Sequence, residues 1–489
     1  MKNSKMTSFG AAAMVAAAIA IPACTVGPTY KAPESKLPEN WHQTLEGGAV
    51  AGQPTDLARW WTTLHDSALD SLVERAVAGN HDLRVASARL KEARAQRGVV
   101  AADQYPTVNV DGSYSRSRNS ANNGGFGANG ENDNYQIGFD ATWEIDLWGR
   151  VRRNVEASDA DLGAAEESRR DVLITLLAEV ARNYVELRSL QERLAIAQAN
   201  TQSQQQTLDL SKARFKAGLT SDLDVARAES QLNTTRSQVP SLQSQTQASI
   251  HRLSVLVGQE PGALAQELVQ AKALPTKPTQ IPVGLPSDLL RRRPDIRKAE
   301  RELAAATARI GVAEGDLFPR FSLTGSFGFE SDNSGQLFNS DSRFWSIGPA
   351  MRWPIFDANR IRNNVKVQNA RQEQAVALYE KTILTSLEDV ENSLVSYARE
   401  QDRRRALVQS EASAKRATDL ANELYSRGLT DFLSVLEAQR QLFAAQDLRA
   451  LSDKNVLTNL IALYKSLGGE WEEGKAAAEA PTETAPAKS

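Results

Sequence analysis

The chain of 489 residues has one cysteine and four histidines. A single thiol excludes an internal disulfide. His42, His65, His81 and His251 do not have the usual zinc-ligand spacings, so no metal centre is expected. The chain also lacks an excess of one charge: 57 Lys plus Arg stand against 60 Asp plus Glu, a net charge of -3. No basic field is present to hold nucleic acid by counterion release. Aromatics (6%) and prolines (18) are sparse while Ala, Gln, Leu, Arg and Ser dominate, a composition that suits long helices better than several compact cores. Catalytic motifs are missing too. No nucleophile elbow, P-loop or metal motif occurs, and neighbouring carboxylates such as Glu166 and Glu167 face different directions on a helix, so neither an enzyme nor a cofactor is expected. Past the amino terminus no stretch approaches 18 apolar residues. A membrane crossing by the mature chain would therefore need strands closed into a barrel.

The amino terminus carries an export signal. Lys2 and Lys5 precede an apolar run from Phe9 to Ile21, the order of a secretory signal peptide, here residues 1–23. The run ends Ile21-Pro22-Ala23-Cys24. An aliphatic residue three before a cysteine and a small one just before it resemble the lipobox cut by lipoprotein signal peptidase, which makes Cys24 the expected lipid attachment site. An ordinary signal peptide leaving a free thiol is the alternative. Thr25, where Asp would resemble an inner-membrane retention signal, leaves outer-membrane sorting open.

Self-comparison shows a duplication. Gly98-Val99, Asp103 and Pro106 match Gly311-Val312, Asp316 and Pro319 at a shift of 213. Further on the shift is 210: Trp143, Ile145, Arg150, Gly218-Leu219-Thr220, Leu223, Val225 and Gly258 match Trp353, Ile355, Arg360, Gly428-Leu429-Thr430, Leu433, Val435 and Gly468. The organisation is an anchored extended segment (24–66), a first repeat (67–260), a proline-rich connector (261–286), a second repeat (287–470) and a disordered tail (471–489).

Each repeat reads helix, strand, loop, strand, long helix, turn, helix. Tyr135, Ile137, Phe139, Ala141, Trp143, Ile145 and Leu147 alternate with polar residues, the mark of a strand with one apolar and one wet face. Four such strands are predicted, at 106–117, 134–147, 320–330 and 343–356, each long enough to cross a bilayer at a tilt. A soluble half-buried sheet is the alternative. Tyr105, Trp143, Trp148, Trp345 and Trp353 near strand ends suit interfacial aromatic belts. The loop between the first two strands contains Gly125-Phe126-Gly127-Ala128-Asn129-Gly130, a formal dinucleotide fingerprint, but it lies between two strands with no helix after it, so a hairpin loop is expected. From 152 to 215 no proline occurs and the heptad positions read Leu173, Leu177, Val180, Tyr184, Leu187, Gln191, Leu194, Gln198, Thr201, Gln205 and Leu208. A helix of that span would be about 95 Å long, a coiled-coil element. Flanking helices are predicted at about 68–102 and 222–257.

Four strands cannot close a barrel, and eight would give an interior filled by side chains. Three copies, twelve strands, are the smallest number that leaves a water-filled lumen. The repeat, the start Cys24-Thr25-Val26-Gly27-Pro28, Trp60-Trp61, Leu285-Pro286-Ser287-Asp288-Leu289-Leu290 with Arg292-Arg293-Pro294-Asp295-Ile296, and the two Gly-Leu-Thr turns resemble the outer-membrane efflux factors of the TolC and OprM type, especially their NodT-like lipoprotein branch. The resemblance covers residues 24–470. It implies a mixed α and β membrane protein: a homotrimeric twelve-stranded transmembrane β-barrel continued by a long periplasmic α-helical coiled-coil barrel. It implies further the passive exit duct of a tripartite pump, RND type, working with a periplasmic adaptor protein and an inner-membrane transporter. The outer-membrane component of a type I protein secretion system is the alternative.

Two sites follow. The tips at 215–222 and 425–432 place Gly218 and Gly428 where a long helix needs a left-handed cap, then Leu219 and Leu429 exposed, then Thr220 and Thr430 to cap the next helix. The resemblance makes these tips the adaptor-binding surface. It also implies a periplasmic gate, in which Asp224 and Tyr425 match link positions and Glu437 matches a ring carboxylate. Ser434 replaces the other ring acid and Thr430 stands where some members have Arg, with Asp222, Asp431 and Arg427 as substitutes.

Overall fold

A computed structural model describes residues 25–34, 37–52, 59–118 and 131–469. The signal peptide, Cys24, the glycine-rich loop at 125–130 and the tail at 471–489 lie outside the described residues. Strand β1 (Ala49–Val50) precedes the first repeat, which contains helices α1 (Ser67–Gly79) and α2 (His81–Ala102), strands β2 (Thr107–Arg118) and β3 (Glu131–Ile145), and helices α3 (Arg150–Lys216) and α4 (Asp222–Leu256). A short helix α5 (Ala265–Leu268) and strand β4 (Ile281–Pro282) form the connector. The second repeat runs through α6 (Leu289–Arg292), α7 (Pro294–Gly315), β5 (Arg320–Ser331), β6 (Arg343–Arg352), α8 (Arg360–Ser426) and α9 (Phe432–Ser466). The duplication holds to the residue: α3 and α8 each span 67 residues, α4 and α9 each 35. None of the described helices is long and apolar enough to cross a membrane.

The chain divides into two compact units. One comprises 1–34, 89–166 and 298–380 and holds a four-stranded antiparallel sheet in the order β2-β3-β5-β6. Its faces separate as the period of two requires. Val108, Val110, Tyr114, Phe139, Phe327, Trp345, Ile347 and Met351 lie on one face and are all exposed. Phe338 rests on Phe329 of that face at 5.7 Å, while the residues just named stay uncovered by the described residues. Asn109, Asp111 and Ser113 share the other face with Asp140, Gly138 and Gln136, their register partners. β6 ends at Arg352, short of the expected 356, because its partner strand β5 begins at Arg320, the residue opposite Arg352. The Trp143 and Trp353 indoles are exposed and donate to the carbonyls of Gln104 (3.0 Å) and Leu317 (3.1 Å). Trp148 departs from the belt pattern: it stacks on Phe318 at 4.8 Å and donates to the Pro319 carbonyl. Arg153 donates to the carbonyls of Val26 and Gly27 and ties that segment to α3.

The second unit comprises 35–88, 167–297 and 381–489. Its core stacks Trp60 on Tyr464 at 5.3 Å, and Asp66 caps α1 while accepting the Tyr184 hydroxyl at 2.8 Å. The single helix expected over 68–102 is two. Asn80 breaks it, its Oδ1 accepting from the Leu83 N–H and its Nδ2 donating to the Leu256 carbonyl. The seam of α3 also shifts. Leu173, Leu177, Val180, Tyr184, Leu187 and Leu208 are buried as expected, but the lower positions are Ala197 and Gln204, not Gln198 and Gln205. From Leu194 the inward positions run 197, 201, 204 and 208, so each three-residue step precedes a four-residue one, the reverse of the expected order.

Gly258 packs against Gly79, and a Cβ there would lie 2.1 Å from the Gly79 oxygen at a backbone φ of +79°. Gly218 has φ +71° and open space around its Cβ position. Gly218→Ala is therefore expected to cost only left-handed strain, about 1–2 kcal/mol. Gly258→Ala should cost clearly more, read as a larger drop in the midpoint of thermal unfolding followed by circular dichroism.

Candidate functional site

Each long helix ends the same way. At the end of α3 the Gly218 N–H bonds to the Phe215 carbonyl and the Leu219 N–H to the Arg214 carbonyl; at the end of α8 the Gly428 and Leu429 N–H groups bond to Tyr425 and Leu424. The latter bond in each pair spans six residues, the Schellman closure that needs a left-handed glycine. Both glycines supply it, with φ of +71° and +72°. The chain is turned so that Leu219 and Leu429 stand 68% and 69% exposed, beside exposed Leu223 and Leu433.

The caps of the next helices differ from expectation. They are Ser221 and Asp431, one residue beyond the threonines. Thr220 instead donates its hydroxyl to Asp224 Oδ2 at 2.6 Å, and Ser221 Oγ donates to the same oxygen at 3.0 Å. In the second tip Asp431 Oδ1 accepts from the Ser434 N–H at 2.9 Å and from its hydroxyl at 2.6 Å. Ser221 and Asp224 correspond under the repeat to Asp431 and Ser434. The two tips thus carry the same Ser and Asp pair in swapped positions, and the carboxylate absent at 434 sits one helical turn earlier.

These acids are held charged. The Thr220 hydroxyl foremost, then Ser221, holds the Asp224 carboxyl below its ordinary range, and the Ser434 hydroxyl and N–H do the same for Asp431. Gln441 and Arg440 lower Glu437. Arg427 is paired with Glu423 at 2.5 Å, and Asp222 lies exposed in the first turn of α4.

Tyr425 is placed differently from the acids. Its ring is buried in a cluster with Leu208, Val225, Ala228, Leu232, Phe432 and Val435, so the ends of both helical hairpins share one small core. Arg214 lies over the ring at 4.5 Å and donates to the Tyr425 carbonyl at 3.1 Å. The Tyr425 hydroxyl is buried with no hydrogen-bond partner among the described residues, and within one copy it is not joined to Asp224. The Arg214 contact was missed in the sequence, where only its place one turn before a helix end could have drawn notice.

The Outer membrane efflux protein family matches residues 72–259 and 285–469, the two repeats. The antibiotic efflux pump outer membrane protein ArpC of Pseudomonas putida is 34% identical over 475 residues, 94% of this chain and 96% of that protein. The cation efflux system protein CusC of Escherichia coli O6:H1 is 31% identical over 458 residues, 93% and 98% of the two chains. Among solved structures the outer-membrane channel OprN shares 38% identity with a TM-score of 0.87 over 92% of this chain and 100% of its own.

The depressed Asp431 carboxyl contributes to the α9 cap above its unfolded pKa and loses that contribution as pH falls through its folded value. The protection factor of the Ser434 amide, its exchange rate relative to an unstructured amide at the same pH, is expected to be constant from neutrality down to about pH 5 and to fall progressively below about pH 4. Asp431→Ala should give the low protection factor at every pH, whereas Asp431→Asn, which retains an acceptor, should stay protected at low pH.

Proposed function

This chain belongs to the outer membrane efflux protein family, and from that we propose that three copies close a twelve-stranded barrel in the outer membrane and carry small molecules out through it as the last section of a tripartite pump. The chain itself is an outer-membrane efflux channel component. What carries the fuller reading is the uncovered apolar face of the four-stranded sheet, set within a repeat whose helices run 67 residues. Such a face is matched by lipid, and a sheet with two open edges is tolerated there only when closed. ArpC and CusC are named for antibiotic and cation efflux, which favours small-molecule efflux over protein secretion.

The partners proposed are a periplasmic adaptor at the tips and an inner-membrane transporter beyond it. Leu219 and Leu429, with Gly218, Thr220, Gly428 and Thr430 shaping their loops, supply an exposed apolar contact at the tip of each hairpin. Cys24 is proposed as a diacylated anchor. Because the barrel also holds the protein, Cys24→Ala behind a different signal peptide should still fractionate with the outer membrane; release as soluble protein would count against the barrel.

The gate is proposed at the tips, where Asp222, Asp224, Asp431 and Glu437 gather negative charge and make the pore cation-preferring. Tyr425 and Asp224 are proposed to link neighbouring copies, which requires the Tyr425 hydroxyl to leave its buried, unpaired position. Removing one such bond per copy is worth about 0.5–1.5 kcal/mol, and three copies multiply the bias. Tyr425→Phe with Asp224→Ala should raise single-channel conductance in a planar bilayer and leave trimer assembly intact. Unchanged conductance would place closure on Arg427 or the acids, and anion selectivity would remove the acids from the constriction.

A further inference from the structure

In the sheet, β3 joins β5 inside the chain while, among the described residues, one side of β2 and one side of β6 have no strand beside them. The repeat says what belongs there. Adding 213 to a β2 number and 210 to a β3 number carries the first hairpin onto the second: Thr107 opposite Thr142 becomes Arg320 opposite Arg352, as observed. The same shifts carry the β3–β5 junction onto a junction between β6 and the β2 of another copy. Thr142 opposite Thr324 then becomes Arg352 opposite Asp111. Both residues are on the polar face, exposed, and without an ion-pair partner among the described residues.

Resting on the closed barrel proposed above, we propose that β6 of one copy pairs antiparallel with β2 of the next in this register, Arg352 meeting Asp111 of the partner subunit. Electrostatics select the same register independently. Arg352 stands directly opposite Arg320 in its own hairpin, a like-charge pair that destabilises the strands, while Arg320 is already bonded to Asp316. A carboxylate on the open side of β6 answers the excess. A slip of two residues would instead bring Arg352 against Asn109 or Ser113, and a slip of one would turn the apolar face inward. The junction inside the chain has a neutral threonine pair at the corresponding place. The β2–β3 hairpin holds opposite charges within the chain, Arg116 opposite Asp133 and Arg118 opposite Glu131, whereas Arg352 and Asp111 meet where two copies must find each other, which makes that pair a specificity device for assembly.

The register also places Ala350 opposite Ser113 of the partner subunit. Cys24 is the only native cysteine, so a background of introduced pairs is clean. Oxidation of Ala350→Cys with Ser113→Cys in outer-membrane fractions should convert most of the protein into covalent trimer on denaturing gels. Ala350→Cys with Asp111→Cys, or with Ser115→Cys, should link far less. Stronger linking in either slipped pair would overturn the register. Absence of linking in protein that elutes as a trimer would overturn the strand pairing itself, and a monomeric protein would overturn the closed barrel beneath it. For the ion pair, Asp111→Asn and Arg352→Gln should each lower the temperature at which the trimer dissociates in detergent, and the double variant should lose no more than the worse single one. Additive losses would overturn the pair.

Discussion

A backbone N–H or C=O that enters hydrocarbon must find its partner inside protein, because no water is there to replace it. The four-stranded sheet meets this along β2–β3, β3–β5 and β5–β6 and leaves one side of each outer strand open. Its apolar face suits lipid, yet its edges do not. Every other feature of the proposed channel answers that conflict: the duplication supplies two hairpins of one register, and identical copies supply the rest. An eight-stranded closure from two copies would meet the backbone requirement and fill its interior with side chains. Three copies meet it and leave room for water.

The long helices obey a different constraint. Their upper seams are ordinary hydrophobic cores, with Val180, Ala181, Tyr184, Val185 and Leu187 buried in succession. Toward the tips the buried seam positions become polar. Gln204, Ser211 and Gln439 are buried, and among the described residues both polar side-chain atoms of Gln204, the Ser211 hydroxyl and the Gln439 oxygen lack partners, although Gln439 Nε2 donates to Thr207 at 2.9 Å. A buried polar group without a partner weakens the packing around it. At the tips the cluster around Tyr425 supplies the apolar packing that these polar seam positions do not.

Much of this was legible because strands and repeats write themselves in few residue types. Alternation over 14 residues at 134–147 leaves little choice of element, and Gly, Trp and Pro mark the duplication because each has a conformational or packing reason to recur. What was not legible depended on position within a turn or on partners far away in sequence. The heptad step near Ala197 moves by one residue without changing the amphipathic pattern. Thr220 and Ser221 are both competent caps, and only the backbone conformation at 221 decides between them. Tyr425 looked like a hydrogen-bonding residue and is used as a buried ring, since its apolar body outweighs its hydroxyl once Phe432 and Arg214 close over it. Asn80 breaks a helix because its amide serves two backbones at once, one of them at residue 256.

The two tips show how far a duplicated element can diverge while keeping its physical job. A helix start needs an acceptor for its free N–H groups and favours negative charge nearby. In the first tip Ser221 supplies the acceptor and Asp224, three residues on, supplies the charge; in the second Asp431 supplies both and Ser434 is the donor it holds. The swap keeps a hydroxyl-bound carboxylate at the start of each helix, Asp224 in one tip and Asp431 in the other. It also changes how each acid is held. Asp224 is bound by two hydroxyls of its own loop, whereas Asp431 is bound by the helix it caps. Releasing Asp224 to a partner therefore leaves the Ser221 cap of α4 in place, while releasing Asp431 would fray α9. Of the two carboxylates, Asp224 is the one that can serve as a reversible link without unwinding its own helix.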